Sequence, residues 1–284
     1  MNLWANVLRY GYAPLFFGGF LALALWLLPQ TGQPVILGGL LLAAITVSFV
    51  MERMVPYAAD FNLPRQDGLS DALHALVNEA SNTLSVLAYP MLVWLIPHTG
   101  LWPERWPLWG QLGFAILVAD FGISMTHFLS HKFPLLWRFH AVHHSAQRLY
   151  GLNGLMKHPI HQAIELTAAA LPLLLLDMPQ QVAWLLAFAV AIQLLLQHGN
   201  VDMRIGPLVY LWAVAPAHRF HHVYTAGEGD VNFGLFTCIW DHVLGTFRRD
   251  RVRVFKAGDF GITSRPDYPK SYLGQLLAPF RSQR

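Results

Sequence analysis

Charged residues are scarce in this sequence, and cysteine is nearly absent from it. Asp, Glu, Lys and Arg together make up 12% of the 284 residues, about half of their usual share in soluble domains, while hydrophobic residues make up 55%. Uncharged runs cover 10–51, 80–103, 106–119 and 178–201. Because a helix needs about 20 mostly apolar residues to cross the hydrocarbon core of a bilayer, we expect an integral membrane protein whose fold is an all-α, multi-span helical bundle.

The one cysteine, Cys238, excludes an internal disulfide and every zinc motif that is built on several cysteines. The sequence likewise lacks the cysteines of a ferredoxin and the G-x-G-x-x-G motif of a dinucleotide-binding domain. We expect no cleavable signal peptide, because the first apolar run is longer than the roughly 7–15 residues of a signal-peptide core.

The formal net charge of +3 reflects the surplus of Lys and Arg that is usual at the cytoplasmic ends of membrane spans, so we predict no nucleic-acid partner. The predicted spans cover 12–28, 34–50, 80–96 and 106–126, and a shorter apolar pair covers 163–176 and 178–197. Placing the basic segments 132–162 and 248–256 on the cytoplasmic side puts every histidine except His98 on that side as well. We therefore expect a histidine-rich helical cap there.

Histidine is abundant where other polar residues are few. Eight of the 14 histidines fall into three patterns, His127-x-x-x-His131, His140-x-x-His143-His144 and His218-x-x-His221-His222. Residues three or four apart share a helix face, whereas adjacent residues diverge by about 100°. The paired H-x-x-H-H motifs therefore predict a site for two metal ions. Imidazole suits iron, zinc, copper and nickel, so the ligand type alone does not choose the metal.

Further residues stand at specific places around these patterns: Asp120, Leu136-Trp137-Arg138-Phe139, His158-Pro159, Gln197-His198-Gly199-Asn200, Asp230-Val231-Asn232-Phe233-Gly234 and Trp240-Asp241. With the histidines, they resemble the fatty acid hydroxylase/sterol desaturase superfamily of integral-membrane, histidine-ligated di-iron enzymes. The resemblance covers 120–246. It implies that the eight histidines of the three patterns are metal ligands, with His198 as a ninth and His158 as a tenth. His161 and His242 are left with supporting roles.

Polar residues are expected to support these ligands. A metal ion held by imidazoles alone keeps its charge uncompensated, and ligating histidines usually donate their other N–H to a carboxylate or carbonyl group. We expect this supporting role for Asp120, Asp230, Asp241, Asn200 and Asn232.

The resemblance implies an enzyme that uses two iron ions and O2 to hydroxylate an unactivated C–H bond of a lipid, such as a fatty acyl chain or a sterol. A lipid desaturase of the same superfamily is the alternative within this class. A separate electron donor is implied, either a reductase, a ferredoxin or a cytochrome b5-like protein, because His158-Pro159 is followed by Ile160 and not by the glycines of a cytochrome b5 motif. We accordingly predict that the chain consists of a transmembrane region (1–110), a catalytic region (111–250) and a basic cytoplasmic tail (251–284).

Two hypotheses from other functional classes fit the sequence less well. A zinc or iron transporter would carry polar ligands in mid-membrane on several spans, and a haem-binding subunit would need histidines that face each other across helices. Here the histidines gather at one end of nearly apolar spans. The sequence has neither an organelle retention signal nor an N-glycosylation site, so we favour a bacterial inner membrane over the endoplasmic reticulum.

Overall fold

The computed structural model describes residues 3–96, 99–223, 225 and 227–281. Seven longer helices are α1 (Leu3–Thr31), α2 (Val35–Met54), α3 (Gly68–Trp94), α4 (Leu108–Lys132), α5 (Pro134–His144), α6 (Pro159–Leu175) and α7 (Gln180–His198). Three short ones follow: α8 (Ala215–His218), α9 (Ile239–Leu244) and α10 (Tyr272–Leu277). Within the described residues there is no strand beyond isolated β-bridges, so the predicted all-α class is confirmed.

Within the described part of the chain, four helices are long and apolar enough to cross a membrane: α1, α2, α4 and α7. The predicted span 80–96 forms the second half of α3, which is not among them. Buried amides such as Asn78 and Asn82 lie on this helix, and no Gly or Pro interrupts it between Gly68 and Pro90. The apolar pattern predicted a span that begins at residue 80, whereas the helix begins at Gly68 and continues through this position.

The bundle is organised around α7, which packs against α1, α2, α3 and α4. Most of α7 is buried, including Leu185, Ile192 and Leu195. Beside it α4 packs closely on α6, because a Cβ atom at Gly122 would lie only 2.3 Å from the carbonyl oxygen of Ala168. Small residues allow this kind of close approach between helices in membranes.

Polar contacts tie the loops together at the end of the bundle away from the histidines. Asp177 Oδ2 accepts hydrogen bonds from the backbone N–H of Thr99 and of Gly100, both at 2.6 Å. Tyr89 Oη donates to the carbonyl of Met178 at 2.6 Å. The loop before α4 and the loop before α7 therefore meet at one end, as the predicted topology requires. His98, which the topology placed there, lies outside the described residues.

At the opposite end of the bundle lie the N-terminal part of α1, the segment after α2 and the chain on both sides of α5. Arg9 pairs with Asp202 at 2.7 Å, and Arg148 pairs with Asp67 at 2.6 Å. The eight histidines of the three patterns belong to this end, and so does His198. The division into regions at residue 110 stays a prediction, and one buried apolar cluster includes side chains from both sides of that position.

Candidate metal centre

Four parts of the chain bring histidines together. The last turns of α4 carry His127 and His131, α5 carries His140, His143 and His144, and α7 ends at His198; α8 and the turn after it carry His218, His221 and His222. Nine ring nitrogens form two groups, and within each group the potential ligand atoms lie within 4.8 Å of one another. The five-histidine group consists of His127, His131, His140, His144 and His221, and the four-histidine group of His143, His198, His218 and His222.

The ring nitrogens within the four-histidine group converge on one point. His198 Nε2 lies 3.2 Å from His143 Nε2, 3.1 Å from His222 Nε2 and 3.2 Å from His218 Nε2. His222 Nε2 and His218 Nε2 are 3.1 Å apart. Two nitrogen ligands that lie about 2 Å from one metal ion are themselves about 3 Å apart, so these spacings fit a single bound ion.

The five-histidine group has similar spacings. His127 Nε2 lies 2.7 Å from His221 Nε2. His144 Nε2 lies 3.1 Å from His131 Nε2 and 3.0 Å from His140 Nε2. A second ion therefore fits among these five rings.

Hydrogen bonds on the far side of the rings show that the facing nitrogens carry lone pairs. His127 donates its Nδ1–H to the carbonyl of Phe233, and His221 donates its Nδ1–H to the carbonyl of Val231, both at 2.9 Å. A carbonyl oxygen can only accept, so the single proton of each neutral ring is at Nδ1. The two Nε2 lone pairs then face each other across 2.7 Å, and a cation between them would remove the repulsion.

The same argument applies to the four-histidine group. His143 donates Nδ1–H to the carbonyl of Met156 at 3.0 Å, and His198 donates Nδ1–H to the carbonyl of Leu194 at 3.1 Å. Their Nε2 atoms, 3.2 Å apart, are both acceptors. Fixing the proton on the outer nitrogen is the usual way in which a protein prepares a histidine for a metal ion, so both groups fit metal binding.

Burial keeps these rings neutral. Removal from water, and then the neighbouring imidazoles, lower the pKa of the six histidines outside the spans well below the usual range: His140, His143, His144, His218, His221 and His222. Neutral imidazole is the form that ligates a metal ion.

Asp230 is the predicted supporting carboxylate that contacts a ring directly. Its Oδ1 accepts a hydrogen bond from His131 Nδ1 at 2.9 Å, and this bond holds the pKa of Asp230 below its ordinary value. The carboxylate is partly exposed, with 37% of its side-chain surface accessible. It orients His131 and brings a negative charge next to the five-histidine group.

Asp120 and Asp241 act one step further away, because both hold the loop that follows Asn232. Asp241 accepts hydrogen bonds from the backbone N–H of Phe233 and of Gly234 at 2.7 and 2.9 Å. Asp120 accepts from the N–H of Phe236 at 2.7 Å. Since the carbonyl of Phe233 receives the proton of a ring in the five-histidine group, these carboxylates position a ligand through the backbone and do not contact a ring.

The side-chain amides of Asn200 and Asn232 bind backbone carbonyls, and that of Asn200 also binds the side chain of Asn62. Asn232 donates to the carbonyls of Ala217 and Arg248. Asn200 donates to the carbonyl of Ala58 and to Asn62 Oδ1. Both residues therefore tie neighbouring segments to the site.

The structure places His158 outside both groups. Its Nδ1 accepts the backbone N–H of Ile160 at 3.1 Å and so caps the start of α6, while Nε2 lies 3.2 Å from the carbonyl of Leu276. Both ring nitrogens have protein partners, so we leave His158 out of the proposed ligand set. The proline that follows it explains its place, since Pro is favoured in the first turn of a helix.

Replacing His158 by Asn is expected to leave the metal content unchanged. Asn is among the best capping residues and preserves the start of α6. The measurement is the number of metal ions per chain in detergent-purified protein, compared with the wild type. Loss of one ion in His158→Asn would return His158 to the ligand set.

A buried ion pair beside the metal centre was not predicted from the sequence. Lys157 Nζ lies 2.5 Å from Glu165 Oε2, and Glu165 Oε1 lies 3.7 Å from His161 Nδ1. His161 Nε2 is 2.9 Å from Ser130 Oγ, and its ring packs 4.6 Å from that of His140. These contacts place His161 beside His140, and its supporting role stays a prediction. Glu165 is the one acidic residue in the otherwise apolar α6. A charge in such a helix needs a partner, so its position could have indicated a buried ion pair.

The sequence assigned no role to two amides on α7, Gln193 and Gln197. Gln197 Nε2 donates to the carbonyl of Gly234 at 2.7 Å, and Gln193 Nε2 donates to those of Leu235 and Ala213 at 2.8 and 3.0 Å. Both tie the loop after Asn232 to the central helix. Their spacing of four residues within an otherwise apolar span is a signal for polar contacts between elements.

Comparisons with known proteins agree with this geometry. A family model described as fatty acid hydroxylase matches residues 112–246. Ornithine lipid hydroxylase OlsE of Rhizobium tropici is 33% identical over 248 residues, which cover 84% of this chain and 74% of that protein. The alkylglycerol monooxygenases of Danio rerio and Homo sapiens are each 28% identical, over 57% and 54% of this chain and 34% and 33% of their own lengths. This chain spans about a third of those two relatives.

No solved structure matches the chain. The family model and the long match to a lipid hydroxylase cover both H-x-x-H-H motifs, and they confirm the resemblance that the histidine patterns indicated. The chain therefore belongs to the fatty acid hydroxylase family.

Proposed function

We propose that this chain is a membrane-bound di-iron hydroxylase that inserts one oxygen atom of O2 into an unactivated C–H bond of a lipid. The observation that carries the proposal is the pair of histidine groups, in which facing Nε2 lone pairs lie as close as 2.7 Å. The family and these relatives, an ornithine lipid hydroxylase and two alkylglycerol monooxygenases, support iron and a lipid substrate.

In this proposal iron supplies the reductive chemistry of O2. The overall reaction consumes the C–H substrate, O2, two electrons and two protons, and it yields the alcohol and one water molecule. No flavin-binding or ferredoxin motif is visible in the sequence, so we propose that the electrons come from a separate protein such as a cytochrome b5-like carrier, a ferredoxin or a reductase.

The residues of the chain fix the ligands and exclude water. Carbonyls and Asp230 hold the outer ring nitrogens of His127, His131 and His221. The ring of Phe233 packs between 5.1 and 5.5 Å from these three imidazoles. Such a preorganised and partly dry shell keeps the ligand geometry during turnover and limits side reactions in water.

We further propose that the histidine end faces the cytoplasm of a bacterium. Basic residues are concentrated at this end, in segments 132–162 and 248–256, as the positive-inside rule requires. A relative from the bacterium Rhizobium tropici supports the inner membrane as the location.

The proposal is tested with the detergent-purified protein and with bacterial cells that express it. We expect iron to co-purify and cells grown under ¹⁸O₂ to contain a lipid that gains one ¹⁸O atom. Cells with His143→Ala should lack this lipid. A wild-type protein that binds zinc and no iron, or cells without any ¹⁸O-labelled lipid, would show that the chain is not this hydroxylase.

A further inference from the structure

A small void borders both histidine groups. Its volume is about 10 Å³, which is room for about one water molecule. His127 and His140 of the five-histidine group line it, and so do His143 and His218 of the four-histidine group. A molecule of one or two heavy atoms in this void therefore lies next to ligands of both proposed metal ions.

The buried ion pair of Lys157 and Glu165 lines the same void. Only 10% of the Lys157 side chain and 6% of the Glu165 side chain are exposed. Taking two charges out of water costs free energy, and apolar residues of similar volume often stabilise a protein as well as a buried ion pair or better. Stability alone therefore does not explain why charges lie at this position, and their contact with the void suggests a role there.

The hydrogen bonds around the void leave donors of Lys157 available. An ammonium group has three N–H donors, and within the described residues Glu165 is the one acceptor that Lys157 Nζ contacts. Gln197, the remaining polar side chain in the wall, already donates from Nε2 to the carbonyls of Gly234 and Ala213. Among the wall residues that are not proposed ligands, Lys157 therefore has N–H groups left for a molecule in the void.

We propose that Lys157 is a catalytic residue whose ammonium group donates a hydrogen bond to an oxygen atom of O2 in the void between the two histidine groups. Glu165 fixes the ammonium group and balances its charge, and Lys157 keeps its proton throughout. Negative charge develops on oxygen as electrons arrive, and a fixed donor in a dry site stabilises such charge far more than water does. This inference rests on the proposed function and adds a residue to its mechanism.

The hydrogen bond matters because two reactions compete for the same electrons. In the productive reaction the C–H substrate, O2, two electrons and two protons give the alcohol and water. In the unproductive one, O2, two electrons and two protons give H2O2, which leaves the site. A donor that holds the reduced oxygen between the two groups favours the first reaction. Loss of the Lys157 ammonium group should therefore divert electrons from the alcohol to H2O2.

Three variants test this role. Lys157→Met/Glu165→Leu removes both charges and approximately keeps the volume, whereas Glu165→Gln keeps the ammonium group and an oxygen that accepts from it. Arg9→Met/Asp202→Leu is the matched control, because this ion pair of 2.7 Å lies at the same end of the bundle and does not line the void.

Each variant is purified and placed in nanodiscs of host-cell lipids with reduced ferredoxin and ¹⁸O₂. The measurements are iron per chain, Tm, and the ¹⁸O-labelled lipid and H2O2 formed per O2 consumed. The affinity for azide, a small anion that probes the void, is measured by absorbance titration of the iron-loaded protein.

We expect Lys157→Met/Glu165→Leu to keep its iron and a Tm within about 5 °C of the wild type. Its yield of labelled lipid per O2 should fall at least about 10-fold, with a matching rise in H2O2, and its affinity for azide should fall about 10-fold. Glu165→Gln should change these quantities less than about 3-fold, and the control pair less than about 2-fold.

Unchanged yield and azide affinity in Lys157→Met/Glu165→Leu would overturn the inference. Loss of iron would do so too, since the pair would then belong to the metal ligands, and so would a Tm lower by more than about 10 °C or a failure to fold, since the pair would then serve stability. Equal loss of yield in Glu165→Gln would show that the carboxylate acts and not the ammonium group. Each of these results leaves the proposed hydroxylase intact, whereas a wild type that forms no labelled lipid contradicts the proposed function itself.

Discussion

The double variant His218→Ala/His222→Ala is expected to contain one iron ion per chain, against the two that we propose for the wild type. It removes half of the four-histidine group and leaves the five rings of the other group in place. Hydroxylation should fall at least about 100-fold, because even partners of metal ligands change activity by 10–100-fold. The measurements are iron by mass spectrometry of the purified protein, Mössbauer spectra of ⁵⁷Fe-loaded samples and the yield of ¹⁸O-labelled lipid.

Two further variants complete the test. His140→Ala/His144→Ala removes rings from the five-histidine group and should also retain one ion, with a Mössbauer signal that differs from that of the first variant. His242→Ala is the control, because His242 is exposed, binds the carbonyl of Tyr210 and lies outside both groups. If either double variant kept both ions, the division of the ligands into two groups would be wrong.

The spacing of the histidines predicted much of this arrangement. Adjacent residues diverge on a helix, and accordingly His143 and His144 belong to different groups, as do His221 and His222. The sequence could not predict which motif supplies which group. Each group takes rings from both H-x-x-H-H motifs, and this mixture depends on how α5 packs against the turn after α8.

The supporting residues were harder to predict, since their partners are backbone groups that are distant in sequence. Asp120 accepts from N–H groups more than 100 residues away, and no local pattern identifies such a partner. The carbonyls that accept hydrogen bonds from the rings, such as those of Phe233 and Met156, were not predictable either. Every residue type has a backbone carbonyl, so the sequence does not show which one will accept. Apolar composition predicted membrane spans. It did not predict the full length of α3, because the polar residues in its first half end the apolar run although the helix itself continues.

Asp120→Ala is expected to destabilise the fold, whereas Asp230→Ala should weaken iron binding. Asp120 is buried and accepts from the N–H of Phe236 and from Thr237 Oγ1 at 2.7 and 2.6 Å. Each donor left buried without an acceptor costs about 1–3 kcal/mol, so we expect a loss of roughly 3 kcal/mol. For a chain of this size that corresponds to a Tm lower by roughly 6–10 °C.

Asp230 differs because it is partly exposed and contacts a ring directly. Its hydrogen bond with His131, at a partly exposed position, contributes about 1 kcal/mol to folding. Losing the carboxylate frees the ring and should lower the affinity for iron about 10–100-fold.

The paired measurements are Tm in detergent and competition with a ferrous chelator. Asp120→Asn serves as the control, since the amide oxygen still accepts one of the hydrogen bonds and should restore part of the stability. If instead Asp120→Ala kept its Tm and lost iron, Asp120 would act on the metal centre and not on the loop. The two carboxylates would then share one role, and the indirect path from Asp120 through the loop backbone to the ligands would have to be abandoned.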